Sequence, residues 1–299
     1  MKKIFVVNPP MQLLLLLLVL FCALPLTGAV GMALAPAFGF SPSEASAGLS
    51  VHRLALARYL MAVQSVGVFL LPPALAALLI WRRRACIVLG AARPPAPKSA
   101  VLTALAIVAS IPFISFSANV NAQLPLPEWA TRIDQETTKL TMALIFSPDA
   151  GTLMLNLLVV ALMPAVGEEL LFRGYLQRLL CCWTSRPHLS ILLSAAIFSA
   201  IHVQLEGFIP RFLLGALFGY LLYWSGSLWL PIIAHFTNNA VTVCASFYAA
   251  RRGVNLESLE VETAVSTLLA LASVLVAANM LAHIRRHEKN RRRQITAAS

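Results

Sequence analysis

The sequence predicts an all-α, polytopic membrane protein of about eight transmembrane helices enclosing a polar cavity. Composition is the first reason: of 299 residues, 59% are hydrophobic and 12% are charged, whereas a soluble domain carries about 25% charged residues. Distribution is the second. Apolar runs recur from residue 11 to residue 282, no polar stretch between them is long enough to fold separately, and the mean hydropathy is +0.79. Third, most ionisable side chains inside those runs fall in four successive segments of the second half. A single integral membrane domain, residues 1–299, is expected.

A spanning helix needs about 20 mainly apolar residues. Eight segments qualify: 11–34, 56–81, 99–117, 152–170, 189–206, 211–226, 229–249 and 263–283. In the first, Lys2 and Lys3 precede a leucine run and Ala33-Leu34-Ala35 resembles a signal-peptide cleavage site. The apolar stretch nevertheless exceeds the roughly 7–15 residues of a signal peptide, which favours a retained helix. Pro72-Pro73 and Pro112 fall inside the second and third segments, where neighbouring helices can satisfy the freed carbonyls and a kink is expected. Residues 85–98, with Pro94, Pro95 and Pro97, read as a linker. The longest polar connection, 118–150, holds Glu128, Arg132, Asp134, Glu136 and Lys139 and has the makings of an interfacial amphipathic helix. The basic tail, 284–299, is expected against anionic lipid head groups.

The net charge of +11 would raise the question of nucleic acid in a soluble protein. Here the basic clusters (Lys2 and Lys3, Arg82 to Arg84, Arg285 to Arg293) flank apolar runs, where the positive-inside rule places them. No nucleic-acid partner is expected; membrane lipids are. With the N-terminus inside, 16 of the 23 Lys and Arg residues, Arg173, Arg178 and Arg186 among them, fall on the cytoplasmic side. Both termini are then cytoplasmic, in what would be a bacterial inner membrane. The five cysteines (Cys22, Cys86, Cys181, Cys182, Cys244) show no CxxC or Cys/His ligand spacing, so neither a disulfide framework nor a structural zinc site is indicated.

Charged and imidazole groups inside a bilayer are costly and usually mark function. The first three segments hold almost none beyond Arg58, whereas the next four bring Glu168 and Glu169, with Arg173 just beyond, then His202, Glu206, Arg211, His235, Asn238 and Asn239. On a helix Glu169 and Arg173, four apart, share a face in the order that favours a carboxylate–cation pair. Glu168 is turned about 100° away and left without that partner. The plainer alternative is a helix that simply ends at the interface. His235 and Asn239, also four apart, would aim two hydrogen-bonding groups at a single point. One histidine on an apolar face is ordinarily structural; two, with an unpaired glutamate on successive helices, make that reading weaker.

This set contains what amide hydrolysis needs. A glutamate held away from bulk water can serve as a general base toward water, and imidazole N–H and carboxamide groups can stabilise an oxyanion. The sequence lacks HExxH and GxGD, and Ser225-Gly226-Ser227 lacks the flanks of a rhomboid nucleophile. A zinc ion held by Glu168, His202 and His235 is a formal possibility, since His2Glu is a catalytic zinc set. The favoured cofactor is none beyond a catalytic water.

Glu168-Glu169-x-x-x-Arg173, Phe198-x-x-x-His202 and His235-x-x-x-Asn239 resemble, in order and on successive helices, the three motifs of the CPBP family of intramembrane glutamic endopeptidases. That family contains the CAAX prenyl endopeptidases and the bacterial Abi or bacteriocin-processing homologues. The motifs lie within 167–240, about a quarter of the chain, and no motif position departs from the pattern. The resemblance implies an eight-helix membrane protease acting on a membrane-associated peptide or protein. Carried over, Glu168 would be the base, His202 would hold or polarise the water, and His235 with Asn239 would form the oxyanion site. Glu169 and Arg173 would be a structural ion pair. Two other functional classes compete with this expectation, a non-catalytic scaffold or immunity protein and a proton-coupled transporter.

Overall fold

The computed structural model describes residues 8–41, 43–44, 48–254 and 263–298; Lys2 and Lys3 lie outside them. Every regular element among the described residues is helical, as the composition predicts. Each of the eight predicted segments overlaps a helix. Among the described residues, six helical stretches are long and apolar enough to cross a membrane: Pro9–Phe38, Val51–Leu89, Pro97–Ala122, Ala150–Thr184, Phe208–Ser225 and Ser266–Gln294. The protein is an integral membrane protein.

Helix α1 (Pro9–Leu34) shows why no other solvent suits this fold. Its apolar residues run all round the helix, and Leu14, Leu17, Leu18, Phe21 and Leu24 remain exposed. Water would penalise such a surface, whereas lipid tails match it. The second stretch comprises α2 (Val51–Gln64), a π-helical turn at Ser65–Leu70 and α3 (Leu71–Trp81). Ser50 caps α2 by accepting from the Arg53 N–H at 3.2 Å. The wide turn precedes Pro72-Pro73, which occupy the first turn of α3, where a proline's missing N–H breaks no helical bond. The short α4 (Ala85–Leu89) then leads to α5 (Pro97–Ala122), which contains Pro112.

The polar connection does form a helix, α6 (Glu128–Ile145). It is tied to the bundle by buried Asp134, whose carboxylate accepts from the Glu206 N–H at 2.8 Å. The next stretch carries the site. It starts at α7 (Ala150–Asn156), capped by Asp149, which accepts from the Thr152 N–H at 2.6 Å. That bond holds the Asp149 carboxyl below the usual carboxylate range. The stretch continues through a π turn at Leu157–Leu162, α8 (Met163–Glu169), a second π turn at Leu170–Leu176 and α9 (Gln177–Thr184).

Here the sequence-based boundary is corrected. The predicted segment ended at residue 170, and Arg173 was assigned to a cytoplasmic loop, but the helical stretch runs on to Thr184 with Arg173 wholly buried. Neutralisation of Arg173 by Glu169 one turn earlier is what lets a charged residue continue the span. The opposite correction applies to α10 (Pro187–Ala200), which stops before His202 because the chain turns at Val203, a non-glycine residue with φ of 56°.

Helices α11 (Phe208–Ser225) and α12 (Trp229–Arg252) follow. The last helix, α13 (Thr263–Ala298), carries the basic tail as a helical continuation rather than a loose segment. It packs along α5, and Ser99 Oγ donates to the buried Glu288 carboxylate at 2.7 Å.

Candidate active site

Glu168 lies near the middle of the stretch Ala150–Thr184, far from either end. On α8 it and Glu169 diverge as helical geometry requires. Glu169 is wholly buried, and its Oε1 accepts from two donors, Arg173 Nη1 at 2.8 Å and His235 Nδ1 at 2.9 Å. Arg173 Nη2 donates to the Gly215 carbonyl at 3.1 Å, and its guanidinium lies 4.4 Å from the centre of the Phe198 ring and 5.4 Å from that of Phe218. This charge is held by a carboxylate, a carbonyl and two aromatic faces, each favourable to a desolvated guanidinium. Such a site fixes the rotation of α8 and leaves the neighbouring carboxylate pointing elsewhere.

Glu168 points to the other side of the same imidazole. Its Oε2 lies 3.9 Å from His235 Nε2, and its side chain keeps 12% of its surface accessible. His235 therefore sits between the two glutamates. Because Glu169 accepts at Nδ1, that nitrogen carries the proton; the assignment follows from its partner. Phe218 stacks against the ring, 5.3 Å between centroids at 22°, so the imidazole has little freedom to rotate.

His202 follows the end of α10, where Nδ1 donates to the Phe198 carbonyl at 2.8 Å. The Phe198 ring lies edge-on to both His202 (5.1 Å) and His235 (6.0 Å). One phenyl thus separates the two imidazoles. Asn239 shares the His235 face of α12, but its carboxamide is engaged locally: Nδ2 donates to the Val160 carbonyl at 3.2 Å and Oδ1 accepts from Asn238 Nδ2 at 3.2 Å. The expected convergence of His235 and Asn239 on one point is thus altered by these bonds, since helical register does not determine a carboxamide's partners. Among the described residues, no three His, Cys, Asp or Glu side chains gather as a metal-ligand group.

Two supporting features escaped the sequence reading. The π turns at Leu157–Leu162 and Leu170–Leu176 bracket the glutamates, and such turns are frequent at functional sites because they re-aim side chains. Gly215 and Gly219, spaced GxxxG on α11, receive Arg173 Nη2 and Gln177 Nε2 on their carbonyls, both at 3.1 Å. A Cβ on Gly215 would lie 3.1 Å from Arg173 Nη2 and 3.2 Å from Phe198 Cδ1. The small-residue spacing was a readable signal of close helix packing; Phe218 left none.

Residues 150–241 match the family model described as type II CAAX prenyl endopeptidase Rce1-like. This is the CAAX-protease family that the three motifs indicate. The matched residues include every side chain of the cluster above. A 110-residue stretch is also 32% identical to a Bacillus subtilis (strain 168) protein named "Uncharacterized protein YpbD", covering 35% of this chain and 53% of that protein. The chain therefore spans about half the length of that curated relative. No solved structure matches it. The Rce1-like match stops at α12, so α1 to α6 and α13 lie outside it.

Proposed function

We propose that this protein is a membrane-embedded glutamic endopeptidase that hydrolyses a peptide bond of a membrane-associated substrate with water activated by Glu168. The observation that carries this reading is the unequal treatment of two adjacent glutamates. Glu169 is paired through Oε1 with both Arg173 and His235, whereas Glu168 meets the far nitrogen of His235 across 3.9 Å. That gap is too long for a direct hydrogen bond, but one water touching both atoms at about 2.8 Å, its two bonds about at right angles, spans it.

In this mechanism Glu168 takes a proton from the water as its oxygen attacks the scissile carbonyl carbon. The carbonyl π bond becomes an oxyanion, for which the donors are His235 Nε2–H in the imidazolium form and the Asn239 carboxamide once released from Val160. Collapse of the tetrahedral adduct expels the amine, to which Glu168 returns the proton. Neutral His202, with its proton on Nδ1, offers a lone pair at Nε2 that can accept from the same water and hold its orientation. Glu169 and Arg173 position His235 rather than react.

The basic loops orient the chain with both termini in the cytoplasm under this proposal. The family name points to prenylated protein substrates for its members; for this chain the reading extends only to a membrane-associated peptide. Membrane-associated peptides compared between cells carrying the wild-type protein and cells carrying Glu168→Gln test it. A fragment produced only by the wild type supports endopeptidase action, and identical peptide sets at equal protein levels contradict it.

A further inference from the structure

Outside the candidate active site, three arginines gather at the bundle end carrying the basic loops. The loop 90–96 docks there on the turn between α11 and α12: Leu228 N–H donates to the Gly90 carbonyl at 3.0 Å, and Ser227 Oγ donates to the Arg93 carbonyl at 2.6 Å. The tail helix closes the third side, with Arg291 donating to the Pro94 carbonyl at 3.2 Å. Three arginines from distant parts of the chain, Arg93, Arg178 and Arg292, are thereby drawn around Gly226.

Both glycines of this junction have positive φ, 80° at Gly90 and 70° at Gly226. A Cβ on Gly226 would lie 2.7 Å from Arg292 Nη2 and 3.3 Å from Arg93 Nη1, and one on Gly90 would collide with Arg178 Nη2. The absence of side chains at these positions is what lets the guanidinium groups approach. Arg178 Nη2 makes only a stretched bond to the Gly226 carbonyl, at 3.4 Å. Arg178 Nε and two Arg93 donors, Nε and Nη2, are buried without any hydrogen-bond partner. Glu288 acts on Arg292, but its Oε1 already accepts from Ser99 and Arg291 lies 3.7 Å from its Oε2.

Beside these groups opens a pocket of about 410 Å³ lined by Arg178 and Arg292 together with Ile87, Val88, Leu222 and Tyr223. Guanidinium forks with unused donors match the oxygens of a phosphate, and an apolar wall beside them suits a lipid chain. We propose that this pocket is a phosphate-binding site, built to hold a phosphate group against Arg178 and Arg292 in its wall, with Arg93 reaching it beside Gly226. An anionic phospholipid head group is the source that its apolar wall favours, and free phosphate is the other. Binding there would clamp α9, the 90–96 loop, the α11–α12 turn and the tail together. This inference is independent of the proteolytic reading.

The test uses the purified full-length protein in detergent, with native mass spectrometry to count retained lipid and thermal unfolding to follow stability. Three probes are compared: dioleoylphosphatidylglycerol, dioleoylphosphatidylcholine, and inorganic phosphate at chloride-matched ionic strength. Wild type should retain one phosphatidylglycerol and unfold at a higher temperature with it, while phosphatidylcholine has no such effect. Arg93→Gln/Arg178→Gln should bind phosphatidylglycerol at least tenfold more weakly. Arg93→Gln alone, which breaks no side-chain hydrogen bond of this junction, should show the same direction if the double variant does not fold. Stabilisation by inorganic phosphate that both variants lose, without retained lipid, supports the site with free phosphate as its source. The proposal is overturned if neither probe binds, or if the variants bind as the wild type does.

Discussion

The imidazole of His235 bridges two glutamates that are neighbours in sequence, 2.9 Å from Glu169 through Nδ1 and 3.9 Å from Glu168 through Nε2. One contact is a hydrogen bond and the other is a gap that, in the proposed mechanism, one water spans. The predictions below follow from that asymmetry and from the packing that enforces it.

Glu169 and Arg173 have no exposed surface, so removing either partner leaves an uncompensated charge in the core. Glu169→Gln or Arg173→Met should each cost about 3–5 kcal/mol of stability, the range for breaking a buried ion pair. The double replacement should cost less than the sum of the two. Thermal or denaturant unfolding in detergent measures all three, and strict additivity would show that the pair does not interact.

His235 touches both the pair and the proposed water position, whereas the hydrogen bond of His202 goes to the Phe198 carbonyl and not to the ion pair. His235→Gln should therefore lower both stability and turnover. His202→Gln should lower turnover with a smaller change in unfolding midpoint. Asn239→Ala, losing one oxyanion donor, should reduce kcat by about 10²–10³-fold. Equal stability losses in the two histidine variants would remove the distinction drawn between them.

Close packing at α11 yields a test remote from the reacting groups. A Cβ on Gly219 would lie 2.7 Å from Gln177 Oε1 and 2.8 Å from Ile191 Cγ2, so Gly219→Val should destabilise by about 1–3 kcal/mol through overpacking. Gly215→Val displaces Arg173 and Phe198 as well and should abolish activity even where protein remains folded. Wild-type activity in Gly215→Val would show that the Arg173 cradle is dispensable.

Much of this was legible in the sequence for physical reasons. The apolar runs record the lipid environment directly, and the spacing of four between Glu169 and Arg173 put both on one helical face, where the structure pairs them. What stayed hidden depends on tertiary partners. Arg173 reads as a loop charge until Gly215, Phe198 and Phe218 are seen to hold it, and the helix end at 170 was misplaced for that reason. A π turn has no residue signature. Arg93, Arg178 and Arg292 are far apart in sequence, and each looked like an ordinary basic flank until Gly90 and Gly226 brought them together.

The mechanism routes each step through a carboxylate and imidazoles, which makes metal removal informative. Treatment with a strong chelator should leave turnover unchanged, and the purified protein should hold no stoichiometric zinc by elemental analysis. Activity lost to the chelator and restored only by added metal would replace the water-activating role of Glu168 with that of a ligand.

The most direct measurement is the hydrolysis rate of a substrate peptide by Glu168→Gln in proteoliposomes, alongside its unfolding midpoint. Glu168 makes no ion pair with Arg173, so the variant should fold with an unchanged or higher midpoint. Its rate should fall by at least about 10²–10⁴-fold, the contribution of a positioned general base. A folded Glu168→Gln protein that turns over at the wild-type rate would contradict the account.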